Sequence, residues 1–332
     1  MLHATIAMAS RVTIYDIARE AGTSASTVSR VLNRSTLING ETSLNVLAVA
    51  DRLGYSPRRI RRHASRAILH VVVFLPHAER PQSHLFYDAA ALFSGIRAGF
   101  GSIRTHLIVS LNDSVDPLVA KKLGDIDGCI FAFASPTPEL RSVLSERRIP
   151  TVLINRTDEQ FSYVTNDAAA GMRGLLTAVR RLRPDDRICF VSVEDARPVA
   201  DYRAGAVQAP GGGGDAPDVR WFPTVTEITS DAIADLYRDG FRVFMCVNDF
   251  VAAAVYDRLT RLGIRVPDDV GITGYDAAPV RGLFSRAIAT VDLSVADLGR
   301  QAANLLSGMI VERTASRTER YIVGPVLQGE TL

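Results

Sequence analysis

The sequence predicts a small all-helical head followed by a two-lobed α/β body of doubly wound parallel sheets. Three observations carry this. Residues 11–67 hold ten arginines against four acids, whereas the rest of the chain holds 28 basic and 32 acidic residues. Between residues 13 and 53, apolar positions recur at helical spacing. From Ile68 onward, short apolar runs alternate with helical stretches in two successive sets, the signature of parallel strands covered by helices. With 332 residues, 47% hydrophobic and 22% charged, the chain can bury a substantial core.

In the head, Thr13 followed by Asp16 forms a short capping signal that opens a first helix, with Ile14, Ile17, Ala18 and Ala21 on one face. Gly22 ends it, and Thr23 or Ser24 caps a second helix whose inward positions are Val28, Val31 and Leu32. Asn39 or Gly40 opens a third, with Leu44, Leu47, Ala48 and Leu53 expected inward. Two short helices joined by a glycine turn make a helix-turn-helix, whose second helix enters the DNA major groove. On that helix Ala25, Ser26, Ser29 and Arg30 are small or hydrogen-bonding. Arginine suits guanine O6 and N7, and alanine a thymine methyl. Thr13, Tyr15, Ser24, Thr27 and Asn33 are expected to face the backbone, where hydroxyl and amide donors position a helix on phosphates. The arginine excess is densest at Arg58, Arg59, Arg61 and Arg62, as a polyanion partner requires.

The body reads as strands at 68–75, 106–110, 128–133 and 151–154, then at 187–192, 219–222, 243–247 and 270–273. Helices are expected near 86–100, 116–123, 137–147, 168–182, 229–239, 249–262 and 294–311. Two such lobes place a ligand cleft at the carboxyl ends of the strands. Cys129, Cys189 and Cys246 sit singly in apolar runs and read as buried thiols rather than a disulfide or metal framework. The glycine run 211–214 lacks the spacing of a phosphate loop.

The run Thr13-Ile-Tyr-Asp-Ile-Ala18, Gly22, Ser24, Ser26-Thr-Val-Ser-Arg-Val-Leu-Asn33 and Leu53-Gly-Tyr-Ser-Pro57 resembles the headpiece of the lac repressor (LacI/GalR) family of bacterial transcription regulators. Val247-Asn-Asp-Phe-Val-Ala-Ala253, Leu262–Val270 and Gly274-Tyr-Asp276 resemble that family's effector-binding core, itself similar to periplasmic sugar-binding proteins. The resemblance implies a helix-turn-helix headpiece at 11–57, a hinge at 58–67 and a periplasmic-binding-protein-like body at 68–332. The first lobe is expected at about 68–168 and 293–320, the second at about 169–292 and 321–332. It further implies a homodimer whose paired headpieces read a palindromic double-stranded operator, and a small-molecule effector between the lobes.

Carried over residue by residue, Asn248 and Asp276 match cleft positions that bind sugar hydroxyls, although Asp276 also fits a turn-capping role. Arg197 lies nearest the family's ligand-binding arginine, in a pattern disturbed by Pro198 and Asp201-Tyr202. Phe86 and Tyr87 suit stacking on an apolar ligand face or core packing equally. The effector class stays open among sugars, sugar phosphates, purines and other metabolites, as does the alternative that no effector binds. The first-lobe helix holding Phe93, Ile96 and Phe100 is expected at the dimer seam, a role that periodicity does not separate from core packing.

Other function classes fit less well. A transport-type or free-standing small-molecule binding protein would share the body but leaves the basic head unexplained. The six histidines, all within the first third, form no metal-ligand pattern, and Asp185-Asp186 and Asp268-Asp269 point different ways. Neither an enzyme nor a cofactor is therefore expected. No apolar run reaches membrane length and the first ten residues lack a signal pattern, so a cytoplasmic regulator, a repressor before an activator, is the expectation.

The hinge departs from the family at Ala64, which occupies the place of a leucine that wedges into the operator's minor groove. Alanine has too little bulk to unstack a base step. This protein should therefore bend its operator weakly and lean on Arg58–Arg62, giving steep salt dependence. Ala64→Leu is expected to increase operator bending in a gel-phasing measurement; equal bending by the two proteins would refute the reading.

Overall fold

The computed structural model describes residues 13–32, 40–53, 68–76, 87–111, 126–197, 199–209, 215–312 and 316–332. The chain forms two compact units, Met1–Ala67 and Ile68–Leu332. Arg58, Arg59, Arg61, Arg62, Ala64 and the helix expected near 116–123 lie outside the described residues.

The head is three helices, α1 (Ile14–Glu20), α2 (Ala25–Leu32) and α3 (Gly40–Arg52). The Thr13 amide and hydroxyl both donate to Asp16 Oδ2, at 2.9 and 2.7 Å, and these bonds hold the Asp16 carboxyl below its usual range. Gly22 adopts φ +64°, the left-handed conformation that ends α1 without a Cβ penalty. Ile17, Ala18, Val28 and Val31 form the core with Val46, Val49 and Ala50 of α3. The inward face expected for α3 is corrected here. Leu44 and Leu47 are 71% and 49% exposed and Ala48 is exposed, while Leu53 packs at the core's edge. The helix carries two apolar arcs; Val46, Val49, Ala50 and Leu53, at i, i+3, i+4 and i+7, form the continuous stripe that meets α1 and α2.

The body holds two parallel sheets. The first has order β11-β5-β4-β3-β1-β2, from β1 (Leu69–Phe74), β2 (Thr105–Ser110), β3 (Gly128–Ala132), β4 (Thr151–Ile154), β5 (Ser162–Asn166) and β11 (Glu319–Ile322). Its alternating residues are buried on both faces. Val71, Val73, Ile130 and Val152 meet α4 (Ala89–Phe100) and α10 (Val295–Glu312). Val72, Phe74, Cys129 and Phe131 meet α5 (Pro138–Glu146). The second sheet has order β7-β6-β8-β9, from β6 (Arg187–Val193), β7 (Asp218–Phe222), β8 (Phe241–Cys246) and β9 (Gly271–Thr273). Around it lie α6 (Ala168–Leu182), α7 (Val199–Gln208), α8 (Ser230–Arg238) and α9 (Asp249–Arg261). A short antiparallel pair, β10 (Thr290–Val291) with β12 (Val326–Leu327), lies where the chain passes between the sheets.

The three cysteines are free and buried, and burial pushes the Cys129 and Cys189 thiols up to about 12. Ile96 and Phe100 are sealed inside the first lobe. These two side chains are core, because α10 of the same chain covers them. That contact is unusually close. A methyl at Gly95 of α4 would stand 1.9 Å from the Ala296 carbonyl oxygen of α10.

Gly95→Ala is accordingly expected to destabilise the body by about 1–3 kcal/mol or more, as overpacked cores do, and to lower the thermal midpoint by several degrees. Gly308→Ala, in the same α10 with nothing within 4 Å of its added methyl, should hold or raise the midpoint. Calorimetry of the two variants checks both.

Candidate functional site

The amino end of α2 is built by a cap. Ser24 Oγ accepts from the Thr27 amide at 3.1 Å and shares hydroxyl bonds with Ser26 and Thr27, at 2.7 and 2.9 Å. This starts α2 with three hydroxyls at its amino end. Thr13, Tyr15, Ser24, Ser26 and Arg30 are exposed, Tyr15 to 71%; Ala25 and Thr27 are half-buried. Ser29 lies in α2, and Asn33 falls outside the described residues. Charge is selective on this surface. Arg19 pairs with Asp16 at 2.9 Å, and Arg52 with Glu20 at 2.8 Å. Arg30 has no ion pair among the described residues, so it is the head's described arginine left available for a polyanion.

In the body, a hydrogen bond of 2.6 Å from Tyr275 Oη to Asn166 Oδ1 ties the carboxyl end of β9 to that of β5. The carboxyl ends of strands from the two lobes thus meet. Asp276 stands there in the left-handed region, φ 97°. Its carboxylate takes both terminal nitrogens of Arg203, at 2.5 and 3.3 Å, and Arg203 also donates to the Val247 carbonyl at 2.7 Å. Arg203 is 4% exposed and its guanidinium lies 3.9 Å from the Tyr275 ring centroid. Asn248 caps α9, its Oδ1 accepting from the Val251 amide at 2.9 Å. Its neighbour Asp249 is fully buried and accepts from Thr290 Oγ1 at 2.7 Å and the Ala278 amide at 2.6 Å.

Two expected effector residues are employed elsewhere. Arg197 is exposed, pairs with Glu194 at 3.1 Å and Asp201 at 3.0 Å, and lies over the Trp221 ring. Tyr87 stacks on Phe133 with ring centroids 4.3 Å apart and joins the first-lobe core, and burial raises its phenol pKa. Phe86 lies outside the described residues. Sequence reasoning missed Arg203, although a signal existed. It falls with Ala200, Ala204 and Val207 at i, i+3, i+4 and i+7, an arginine on an apolar helix face, which needs a buried counter-charge.

Another concavity, an open depression of about 580 Å³ lined by Arg141, Asp158, Tyr163 and Arg317 among others, lies at the opposite end of β5. Its arginines already hold Asp158 and Glu319.

With this geometry in place, the chain was compared with known proteins. Residues 13–58 match the model of bacterial regulatory proteins of the lacI family, and residues 172–332 match a periplasmic binding protein-like domain. The chain thus carries a lacI-family DNA-binding domain and a periplasmic-binding-protein-like domain. It is a DNA-binding transcriptional regulator. Among this chain's relatives is the ribose operon repressor of Bacillus subtilis, 28% identical over 92% of this chain and 94% of that protein. Another is catabolite control protein A of Streptococcus mutans, 27% identical over 89% and 90% of the two chains. Among solved structures, the CelR regulator–cellobiose complex superposes with a TM-score of 0.62 at 22% identity over 97% of this chain and all of that one. The lac repressor dimer bound to operator and the anti-inducer ONPF gives 0.62 at 18% identity, over 97% and 99%. No helix among the described residues is long and apolar enough to cross a membrane.

Asp249 generates a pH prediction. Burial first, and the nearby Asp276 charge second, push its carboxyl from 3.8 up to about 7. Between those values the folded protein binds the proton more tightly than the unfolded chain, so stability contributed below pH 4 is lost as pH rises to 7. Asp249→Asn removes that loss. The stability of wild type relative to the variant should fall by roughly 1–3 kcal/mol between pH 5 and pH 8, read by urea unfolding at both values; an unchanged difference would count against this assignment.

Proposed function

We propose that this protein is a repressor that binds a palindromic operator as a homodimer and releases or tightens its grip when a small molecule closes the inter-lobe cleft. It acts without catalysis or cofactor and works in the cytoplasm. The observation that carries the reading is Arg30: exposed, without an acidic partner among the described residues, on a helix whose flanking side chains are small or hydroxylic. Such a face lets the backbone approach base edges while arginine grips guanine in a bidentate way. Thr13, Tyr15, Ser24, Thr27 and Asn33 contact phosphates, Ala25, Ser26 and Ser29 line the groove, and the hinge arginines add sequence-independent attraction.

Switching follows from the cleft. Asp276 and Asn248 belong to the second lobe, while Asn166 belongs to the first, and the chain crosses between the lobes beside them. An effector that contacts both lobes favours one lobe angle, and the dimer transmits that angle to the hinge spacing. The shift is limited to the effector's difference in affinity for the two states, typically about 1–3 kcal/mol. Among the residues carried over from the family, Asn248 and Asp276 are the proposed effector contacts. Phe86 stays with them, whereas Arg197 and Tyr87 support the site through packing and surface pairing.

The test is selection of duplexes from a random pool by the full-length protein. A palindromic sequence should be enriched, and Arg30→Ala should lower discrimination between that sequence and a scrambled one by about 10–100-fold, the worth of one bidentate base contact. Enrichment of no sequence by the natural protein would overturn the reading.

A further inference from the structure

The amino-terminal edge of the first sheet is where the chain enters the body, since Ile68 leads directly into β1. Arg104 stands beside that entry: it immediately precedes β2, and its carbonyl accepts from the Leu69 amide at 2.9 Å. At β4 the same edge is reached through Arg147 and Arg148, which close α5 just before Pro150, whose carbonyl accepts from the Cys129 amide at 2.9 Å. The strand order is β2-β1-β3-β4 on this side of the sheet, and neighbouring strands lie about 4.8 Å apart, so the amino ends of β2 and β4 are separated by roughly 14 Å.

Charge and backbone both set these arginines apart. Arg104, Arg147 and Arg148 are exposed, and none forms an ion pair with a described residue. The rest of the edge is neutralised within the chain: beside β5 and β11, Arg141 holds Asp158 and Arg317 holds Glu319. The acids on the basic half are Glu146, which ends α5, and Asp127, which accepts from the His70 amide at 2.9 Å. Arg148 sits in the left-handed region at φ 51°. Its amide donates to the Ser145 carbonyl at 3.0 Å, and the Ile149 amide donates to the Leu144 carbonyl at 2.9 Å. This is the helix-ending turn whose left-handed position glycine normally fills, because a Cβ there is strained. An arginine at that position does nothing for the turn, which points to a use for its side chain outside the fold.

We infer that this edge is a second, sequence-independent DNA contact, in which Arg104 and Arg148, with Arg147, hold phosphates of the duplex that flanks the operator. The inference rests on the reading of the head as an operator-binding module. Arg62 and Ile68 are six positions apart, and an extended chain of that length spans at most about 20 Å, so a duplex gripped by the hinge arginines passes within reach of an edge that begins at Leu69. Exposed guanidinium groups without acidic partners suit phosphate oxygens and release counterions when they bind them. Such contacts carry no base information. The body thereby adds affinity and salt dependence without changing which sequence is preferred.

The test compares two duplexes that carry the palindrome selected by the full-length protein, one ending at the palindrome and one extended by about one helical turn on each side. Binding is read by fluorescence anisotropy across a salt series. On the extended duplex, Arg104→Gln combined with Arg148→Gly should weaken binding by about tenfold or more at low salt and lower the salt slope by about 1 for each phosphate contact removed. On the short duplex the natural protein and the variant should bind alike, and discrimination against a scrambled palindrome should be unchanged. Arg148→Gly alone should hold or raise the melting temperature while weakening extended-duplex binding, a combination that a purely structural arginine does not give. Arg173→Gln combined with Arg181→Gln removes the same charge from exposed positions of α6 in the second lobe and should leave the slope unchanged. Equal binding of the extended duplex by the natural protein and the Arg104/Arg148 variant, or an equal loss from the α6 control, would overturn the inference. A palindrome that is selected but bound equally by both proteins sinks only this proposal, whereas selection of no palindrome sinks the operator reading and this one with it.

Discussion

The buried pair of Arg203 and Asp276 is the interaction on which the body's cleft depends. A guanidinium that is 4% exposed can persist only with its charge compensated and its protons accepted, and Asp276 with the Val247 carbonyl does most of that. The pair joins α7 to the loop after β9 and fixes the end of β8, so three elements of the second lobe converge on one charge. Removing one partner alone would strand the other, a cost of about 3–5 kcal/mol for buried pairs. In the proposed function, stability and ligand recognition share the same atoms.

Around this pair, several polar bonds flank the junction between the lobes. Tyr275 reaches Asn166, the Asp276 amide donates to the Val291 carbonyl, and the Asp167 amide donates to the Ile322 carbonyl. Each sits on or beside a segment that passes from one sheet to the other. The two lobes keep separate hydrophobic cores, so a change of angle between them moves these bonds and leaves the cores intact. Low-cost junctions between stiff bodies are what a ligand-operated switch requires.

The head follows a different economy. Its core is small, and its cap and ion pairs spend Asp16 and Glu20 on Arg19 and Arg52. Among the described residues, that leaves Arg30 without an acidic partner on a face of hydroxyls and small side chains. Specific reading of a duplex needs few side chains if they are presented at the right height, and the Ser24 cap sets that height by fixing where α2 begins.

The sequence by itself determined the helix-turn-helix, because Thr13, Gly22 and Ser24 act on their immediate neighbours, and the buried strands β1, β3, β4, β6 and β8, because continuous apolar runs have no other place to go. It left β5 and β11 unseen, since Ser162–Asn166 and Glu319–Ile322 are polar runs whose pairing partners lie 156 residues apart. The face of α3 was likewise undecided, as two apolar arcs compete and only packing against α1 and α2 selects Val46 and Val49 over Leu44 and Leu47. Asp276 and Asn248 were legible as polar residues that follow the second-lobe strands, whereas their partners Arg203 and the Val251 amide were not. The pairing of Arg203 was decided by tertiary structure alone, because Asp276 arrives beside it from a distant segment.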